Sequence, residues 1–223
     1  MAQIERKEVG IDKQRKHNKD IATITFKVNT MSKQAKTLTA TELRRVLDYT
    51  ASRKHSARNR ALLMTTHLSG MRVGEVASLR NSDVLDAQGN IRTEIRLSAE
   101  QTKGNEARVV FVNDKLRKEL ELYTRLMDKA NINPALKFFY SQKRASDGFT
   151  ANTLTQFFHY LYKRAGVDGA SSHSGRRTFI TNLASKGVGV RVLMSLAGHK
   201  NISTTQAYID VNDDMKRKAV ELI

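Results

Sequence analysis

A mainly α fold with a small antiparallel β-sheet, an α+β domain, is predicted by three features of the chain. Apolar residues recur at helical spacing through most of residues 37–223, and two short alternating runs flank one turn near the middle. Glycine marks most of the segment boundaries, and Pro134 is the sole proline in 223 residues.

The globular region opens at TLTATELRRVLDYT. Thr39 and Glu42 have the spacing of a capping box, and Leu43, Val46, Leu47 and Thr50 follow one helical face. A second helix over about 57–68 should stop at Gly70, which accepts the left-handed backbone that a helix end favours. A third starts near Met71 or Arg72 and carries Val73, Val76, Ala77 and Leu79. IRTEIRL (91–97) and ARVVFV (107–112) read as strands around EQTKGNE, with Gly104 at the turn. A long helix is expected over about 114–130, a short strand at KFFYS (137–141), and a helix over about 151–165 that ends before Gly166. From 174 onward RRTFITNLASKG, VRVLMSLAG and STTQAYI read as three short helices separated by Gly187 and Gly198, with Ser203 capping the last. The tail DDMKRKAVELI is amphipathic through Met215, Ala219, Val220 and Ile223, which fits packing on this domain.

Composition narrows the partners. Thirty-nine Lys and Arg against twenty-two Asp and Glu give +17 and an isoelectric point near 10.2, a balance that attracts polyanions, nucleic acid first among them. Basic ribosomal, secreted and membrane-surface proteins share that balance, so charge alone does not decide. With no cysteine, disulfides, thiolate nucleophiles and Cys-based zinc sites are excluded, which suits a reducing cytoplasm. No apolar run approaches the roughly 18 residues that would span a bilayer, and the charged N-terminus lacks the apolar core of a signal peptide. Residues 1–36 carry nine Lys and Arg against four Asp and Glu. IATITFKV (21–28) alternates like one strand, and the remainder reads as a basic arm or linker ahead of the domain at 37–223.

No HExxH, EF-hand spacing or P-loop is present, so neither a metal nor a nucleotide cofactor is expected. Asp210, Asp213 and Asp214 read as a solvated cap on the last helix. What stands out is a set of cations and one phenol. Arg72 lies just past a glycine-ended helix in SGMRVGEV, with Glu75 three residues on to hold its guanidinium. Lys103 occupies the turn between the two strands, His173 and Arg176 form an H-x-x-R pair in SHSGRRTF, and His199 precedes Tyr208 by nine residues in GHKNISTTQAYI. Singly, each has an ordinary explanation: a surface charge, a turn lysine, an N-cap, a residue after a C-cap, an inward-packed ring.

In that order and at those separations, G-x-R-x-x-E, a hairpin lysine, H-x-x-R, G-H and the tyrosine resemble the tyrosine recombinase, or phage integrase, family from about Leu38 to the C-terminus. LTATEL, TKGNEARVVFV and GRRTFIT also resemble it in the intervening segments. The resemblance implies a DNA breaking and rejoining enzyme, cytoplasmic and of bacterial or phage origin, acting as a homotetramer on two double-stranded DNA sites with accessory DNA-bending proteins as further partners. It implies that Arg72, Arg176 and His199 stabilise a scissile phosphate and that Glu75 orients Arg72. His173 is then the general base, Lys103 the general acid and Tyr208 the nucleophile. Such a site makes physical sense. Without a metal, protein cations must offset charge that builds on the non-bridging oxygens, and planar guanidinium groups do so bidentately. A tyrosine phenol ordinarily titrates near ~10, so it needs a base and surrounding positive charge to attack.

Two departures from the family are visible. Thirty-six residues cannot supply the helical domain of about a hundred that usually precedes the catalytic one, so the chain resembles the short recombinases of fimbrial phase switching, or an excised catalytic domain. Arg177 stands where many relatives have a second histidine. The alternatives to a recombinase are a type IB topoisomerase-like enzyme and a basic DNA-binding protein of the same fold that exchanges no strands.

Overall fold

The computed structural model describes residues 34–127, 132–141, 148–209 and 213–221. The strand expected at 21–28, most of the basic arm, and Asp210 lie outside these. The helices are α1 (Ala40–Ala51), α2 (Ser56–Ser69), α3 (Val73–Ser78), α4 (Asn81–Val84), α5 (Asp114–Arg125), α6 (Ala151–Arg164), α7 (Ser174–Ser185), α8 (Val190–Ala197), α9 (Ile202–Gln206) and α10 (Asp213–Val220). Strands β1 (Glu94–Leu97) and β2 (Arg108–Phe111) pair antiparallel, with Ile95 opposite Val110 and Leu97 opposite Arg108. The mainly α fold with a small sheet is thus the one observed.

Local chemistry starts and stops these elements as expected at several points. The Thr39 hydroxyl accepts from Glu42 N (3.2 Å) while the Glu42 carboxylate accepts from Thr39 N (3.0 Å), closing the capping box of α1. Gly70 ends α2 at φ +65°. The central helix is α2, packed against both α5 and α7. It buries residues on all sides, so its polar groups must be satisfied internally. The Thr65 hydroxyl donates to Ala61 O (2.7 Å) and that of Thr66 to Leu63 O (2.8 Å). Arg58 is buried, with Nη1 on Tyr140 O (3.1 Å) and Nη2 on Asn59 Oδ1 (3.0 Å).

Three expectations are corrected. KFFYS forms no strand: Lys137 makes one antiparallel bridge to Arg80, while Phe138 and Phe139 turn into the core around Tyr123. Aromatic burial, rather than sheet pairing, explains that apolar run. The long helix after the sheet ends at Arg125, where Leu126 and Met127 fold into a turn on Tyr123 O and Thr124 O. α9 begins at Ile202, one residue ahead of Ser203, with Asn201 at its N-cap and no capping side-chain hydrogen bond. In the tail, Ala219 and Val220 lie exposed on α10, and the Asp213, Asp214 and Met215 side chains and Ile223 lie outside the description. Among the described residues no helix is long and apolar enough to cross a membrane.

The packing of α7 on α2 positions the residues that follow. A Cβ at Gly175 would collide with the Thr66 side chain, and one at Gly70 with the Phe179 ring. Small residues at both points let the two helices approach, which brings Arg176 onto the carbonyl that closes α2. Substitution at glycine therefore has opposite signs in two helices. We expect Gly175→Ala to lower stability by about 1–3 kcal/mol through overpacking against Thr66. Gly74→Ala meets only Ala151 Cβ at 3.8 Å and should raise stability by about 0.5–1 kcal/mol. Urea midpoints of the two variants moving in the same direction would contradict this packing argument.

Candidate active site

The site is built around the C-terminal end of α8. Gly198 takes φ +62° there and forms a Schellman turn, with Gly198 N on Ser195 O (3.0 Å) and His199 N on Met194 O (3.0 Å). The next three carbonyls each receive a guanidinium. Arg108 Nη1 donates to Leu196 O (2.9 Å), Arg176 Nη2 to Ala197 O (2.6 Å) and Arg72 Nη2 to Gly198 O (2.9 Å). A helix C-terminus carries partial negative charge on such unpaired carbonyls, so it suits cations.

One carboxylate serves two of these three arginines. Glu75, 1% exposed, accepts from Arg72 N (2.7 Å) and Arg72 Nη1 (3.0 Å), and from Arg108 Nη2 (2.6 Å) and Nε (3.3 Å). Burial alone would raise its pKa, but the bonds and charge of Arg108, then those of Arg72, outweigh that and hold it below the usual carboxylate value. Arg176 sits deeper. Its Nη1 donates to Gly70 O (2.8 Å), and burial followed by the charge of Arg72 brings its pKa down to about 10. It still carries its full charge at neutral pH.

The structure brings three of the expected residues into one cavity and leaves Glu75, His173, Arg176 and Tyr208 outside its lining. Arg72, Lys103 and His199 line one cavity of about 440 Å³, with Arg108 and Lys200. Lys103 stands exposed in a turn that Thr102 closes at its base, the Thr102 hydroxyl donating to Glu106 O (2.8 Å) and accepting from Glu106 N (3.1 Å). His173 is the N-cap residue of α7 but makes no capping side-chain bond. Partial burial of its ring and then the charges of Arg176, Arg72 and Lys103 hold its pKa below the ordinary value. His199 Nδ1 pairs with Thr205 Oγ1 at 2.8 Å, and burial followed by Arg176, Arg72 and Arg108 pushes its pKa to about 4. Tyr208 lies beside it, the two rings 5.5 Å apart at 23°. The Tyr208 carbonyl accepts from the Thr181 hydroxyl at 3.2 Å. Among the described residues no three His, Asp or Glu side chains are grouped to hold a metal ion.

Sequence reasoning missed Arg108 and Thr205. A signal for Arg108 existed: in ARVVFV it shares the inward face with Val110, and an arginine on the buried side of a strand needs a buried counter-charge. Thr205 gave none, because a hydroxyl in a Ser/Thr-rich helix is unremarkable until the imidazole beside it is seen.

A profile of the Phage integrase family matches residues 36–215, and the chain belongs to that family. It is 28% identical over 186 residues to Tyrosine recombinase XerA of Pyrococcus horikoshii, covering 83% of this chain and 60% of that protein. It is 27% identical over 190 residues to Tyrosine recombinase XerD of Rickettsia prowazekii, covering 82% and 61%. The chain thus spans about three fifths of the length of these relatives. Among solved structures it resembles the XerA recombinase crystal structure (27% identity, TM-score 0.66, 84% of this chain and 64% of that one). It shares its fold with a lambda integrase (75–356) dimer bound to a COC′ core site (16% identity, TM-score 0.61, 82% and 61%).

The depressed histidines make stability depend on pH. His199 and the half-buried His67, which burial alone lowers to about 4, both protonate in the unfolded chain near the ordinary 6.5. Between 6.5 and 4 the unfolded state binds more protons, so stability falls as pH falls. We expect the urea midpoint to drop from pH 7 to pH 5, and the slope to be shallower in His67→Gln. A flat profile over that range would refute the neutral-histidine assignment.

Proposed function

From its place in the phage integrase family and the cationic cavity at the end of α8, we propose that the chain is a site-specific recombinase acting on double-stranded DNA. One observation carries this reading. Three guanidinium groups, a neutral imidazole and a tyrosine ring converge on one helix end, and among the described residues the carboxylate of Glu75 is bonded to two of the three arginines. Such a surplus of positive charge fits a phosphodiester, and lacks any other evident purpose.

In the proposed reaction Tyr208 Oη attacks the phosphorus as its proton passes to His173, which is neutral at pH 7 and so able to accept it. The P–O5′ bond breaks, Lys103 protonates the leaving oxygen, and a 3′-phosphotyrosyl link remains beside a free 5′ hydroxyl. Arg72 and Arg176 stabilise charge on the non-bridging oxygens with donors not spent on α8. His199 adds a third donor in the tautomer whose Nδ1 accepts from the Thr205 hydroxyl, since the proton then sits on Nε2. Glu75 orients Arg72 and takes no proton. The link conserves phosphodiester energy, so rejoining needs no nucleotide.

On this reading residues 37–223 are the breaking and rejoining domain and residues 1–36 a basic arm. Strand exchange calls for a homotetramer on two sites, with accessory DNA-bending proteins as candidate partners, in the nucleoid of a bacterium or on phage DNA. A protein of this charge should lose DNA affinity steeply with salt, the log–log slope being roughly −0.9 for each phosphate neutralised.

Two experiments test the assignment. Incubation with nicked DNA carrying the chain's recombination site should give a slowed covalent band on denaturing electrophoresis, absent in Tyr208→Phe. A band retained in that variant would remove Tyr208 as the nucleophile, and the absence of any wild-type band would favour a plain binding protein. Lys103→Ala should cleave ordinary DNA at least 100-fold more slowly, consistent with the usual worth of a general acid of about 10²–10⁴. The same variant should recover most of that loss on a strand whose leaving 5′ oxygen is replaced by sulfur, since a thiolate departs without a proton. Equal defects on both strands would dismiss Lys103 as the acid.

A further inference from the structure

Tyr208 has a second neighbour besides His199. The guanidinium of Arg177 lies over its ring, 5.3 Å from the centroid. The same side chain reaches the other way: Arg177 Nε donates to Thr37 Oγ1 at 3.2 Å. Thr37 belongs to the short non-helical segment at the start of the compact unit, residues 35–223, just ahead of α1. That segment is seated firmly at its next position. Leu38 is 4% exposed in the core and its N–H donates to Thr178 Oγ1 at 2.9 Å, while Lys36 N bonds Gly169 O at 3.3 Å.

One face of α7 therefore holds two distant stretches of chain. Thr178 takes the lead-in segment, Thr181 takes the Tyr208 carbonyl, and Arg177 touches both. Tyr208 needs such support, because it lies in a turn just beyond the five-residue helix α9. The backbone bond from Tyr208 N to Thr205 O at 3.0 Å fixes that turn but leaves the side chain to its neighbours. Arginine suits the bridging task. Its planar group can lie over a ring while an N–H at its base points elsewhere, a geometry lysine cannot reproduce.

We propose that Arg177 is a positioning residue for Tyr208, and that through Thr37 it makes the placement of the nucleophile depend on how residues 36–38 are seated. The inference rests on the reading of Tyr208 as nucleophile and adds a regulatory link to it. Displacing the lead-in segment would withdraw the hydroxyl that orients Arg177 and so loosen the tyrosine without touching the cavity.

The test uses the full chain and nicked DNA carrying its recombination site, with Arg177→Ala, Arg177→Lys, Thr37→Val and the Arg177→Ala/Thr37→Val double variant. We expect Arg177→Ala to slow covalent-complex formation at saturating DNA about tenfold while DNA affinity stays within twofold of wild type. Arg177→Lys should restore part of the rate by keeping the charge over the ring. Thr37→Val, nearly isosteric, should slow it about threefold and add nothing in the Arg177→Ala background. An Arg177→Ala rate equal to wild type overturns the proposal. So does a loss of affinity matching the loss of rate, which would make Arg177 a phosphate contact. Effects of Thr37 and Arg177 that multiply would sever the link between them. Should Arg177→Ala fail to fold, Thr37→Val and Arg177→Lys decide the matter by the same rates. Hydrogen exchange of residues 199–209 in the DNA-free protein separates this idea from the catalytic one. Faster exchange there in Thr37→Val and Arg177→Lys, with α1 and α2 unchanged, supports the strap even if no covalent complex ever forms. Unchanged exchange in 199–209 rejects it.

Discussion

Three positive charges held against the end of one helix are the constraint that the rest of the structure answers. Arg72, Arg108 and Arg176 repel one another, and what keeps them together is visible bond by bond. The carbonyls of Leu196, Ala197 and Gly198 accept one donor each, and Glu75 binds Arg72 and Arg108 from below. Among the described residues no carboxylate lies within bonding distance of Arg176, which relies on two carbonyls, one from α8 and one from the end of α2. Its placement therefore depends on how closely α7 and α2 approach, which the small residues at 70 and 175 permit. A core-packing detail thus decides where a charge sits.

The arrangement works in both directions. The arginines hold the helix end as much as the helix end holds them. With three carbonyls engaged, the turn at Gly198 is fixed, and the turn aims the following residues. A side chain at 198 is excluded doubly, by the left-handed backbone and by Arg108, whose Cδ would lie 2.7 Å from a Cβ there. His199 then meets Thr205 and Tyr208 because the chain reverses direction within a few residues. Guanidinium is the group that can serve both ends. It offers five N–H donors in a plane, so two can be spent on protein carbonyls while others remain for a ligand. An ammonium, a point donor on a flexible stem, could not bridge in that way.

Much of this was legible in the sequence, for reasons that particular residues make plain. The Thr39 capping box, the stop at Gly70 and the break at Gly198 rest on short-range backbone chemistry, and the chain wrote each of them locally. The seven expected site residues come from an ordered pattern, and the fold sets Arg72 and Arg176 on carbonyls at the end of α8, with Glu75 on Arg72, Lys103 lining the same cavity as Arg72 and His199, and Tyr208 beside His199. The failures were of another kind. KFFYS carries the composition of a strand, but Phe138 and Phe139 are drawn into the cluster around Tyr123, a tertiary choice that no local pattern encodes. The helix after the sheet stops at Arg125 although its apolar spacing continues to Leu126 and Met127. Thr205 became meaningful only when the chain reversed and put it against an imidazole. Arg108 differs from these, since its inward register could have been read from Val110 and was not.

A site in this condition is unsatisfied by design of its charges. Burial and neighbouring cations hold His199 near 4 and depress His173, so neither imidazole is protonated at neutral pH, and Arg176 is brought down to about 10. Burial is the first cause of each of these shifts, and the neighbouring cations push in the same direction. An anion entering the cavity opposes the part of each shift that comes from neighbouring cations, though not the burial that is its first cause. It relieves repulsion among the guanidinium groups, and it lowers the cost of a proton on either histidine. On the proposed reading, binding of a phosphodiester is coupled to the protonation that the chemistry requires, because its charge would raise the basicity of His173, the residue proposed to take the Tyr208 proton. On that reading, part of the repulsion among the cations crowded around α8 would be relieved when an anion binds, so the free site would be strained toward its ligand.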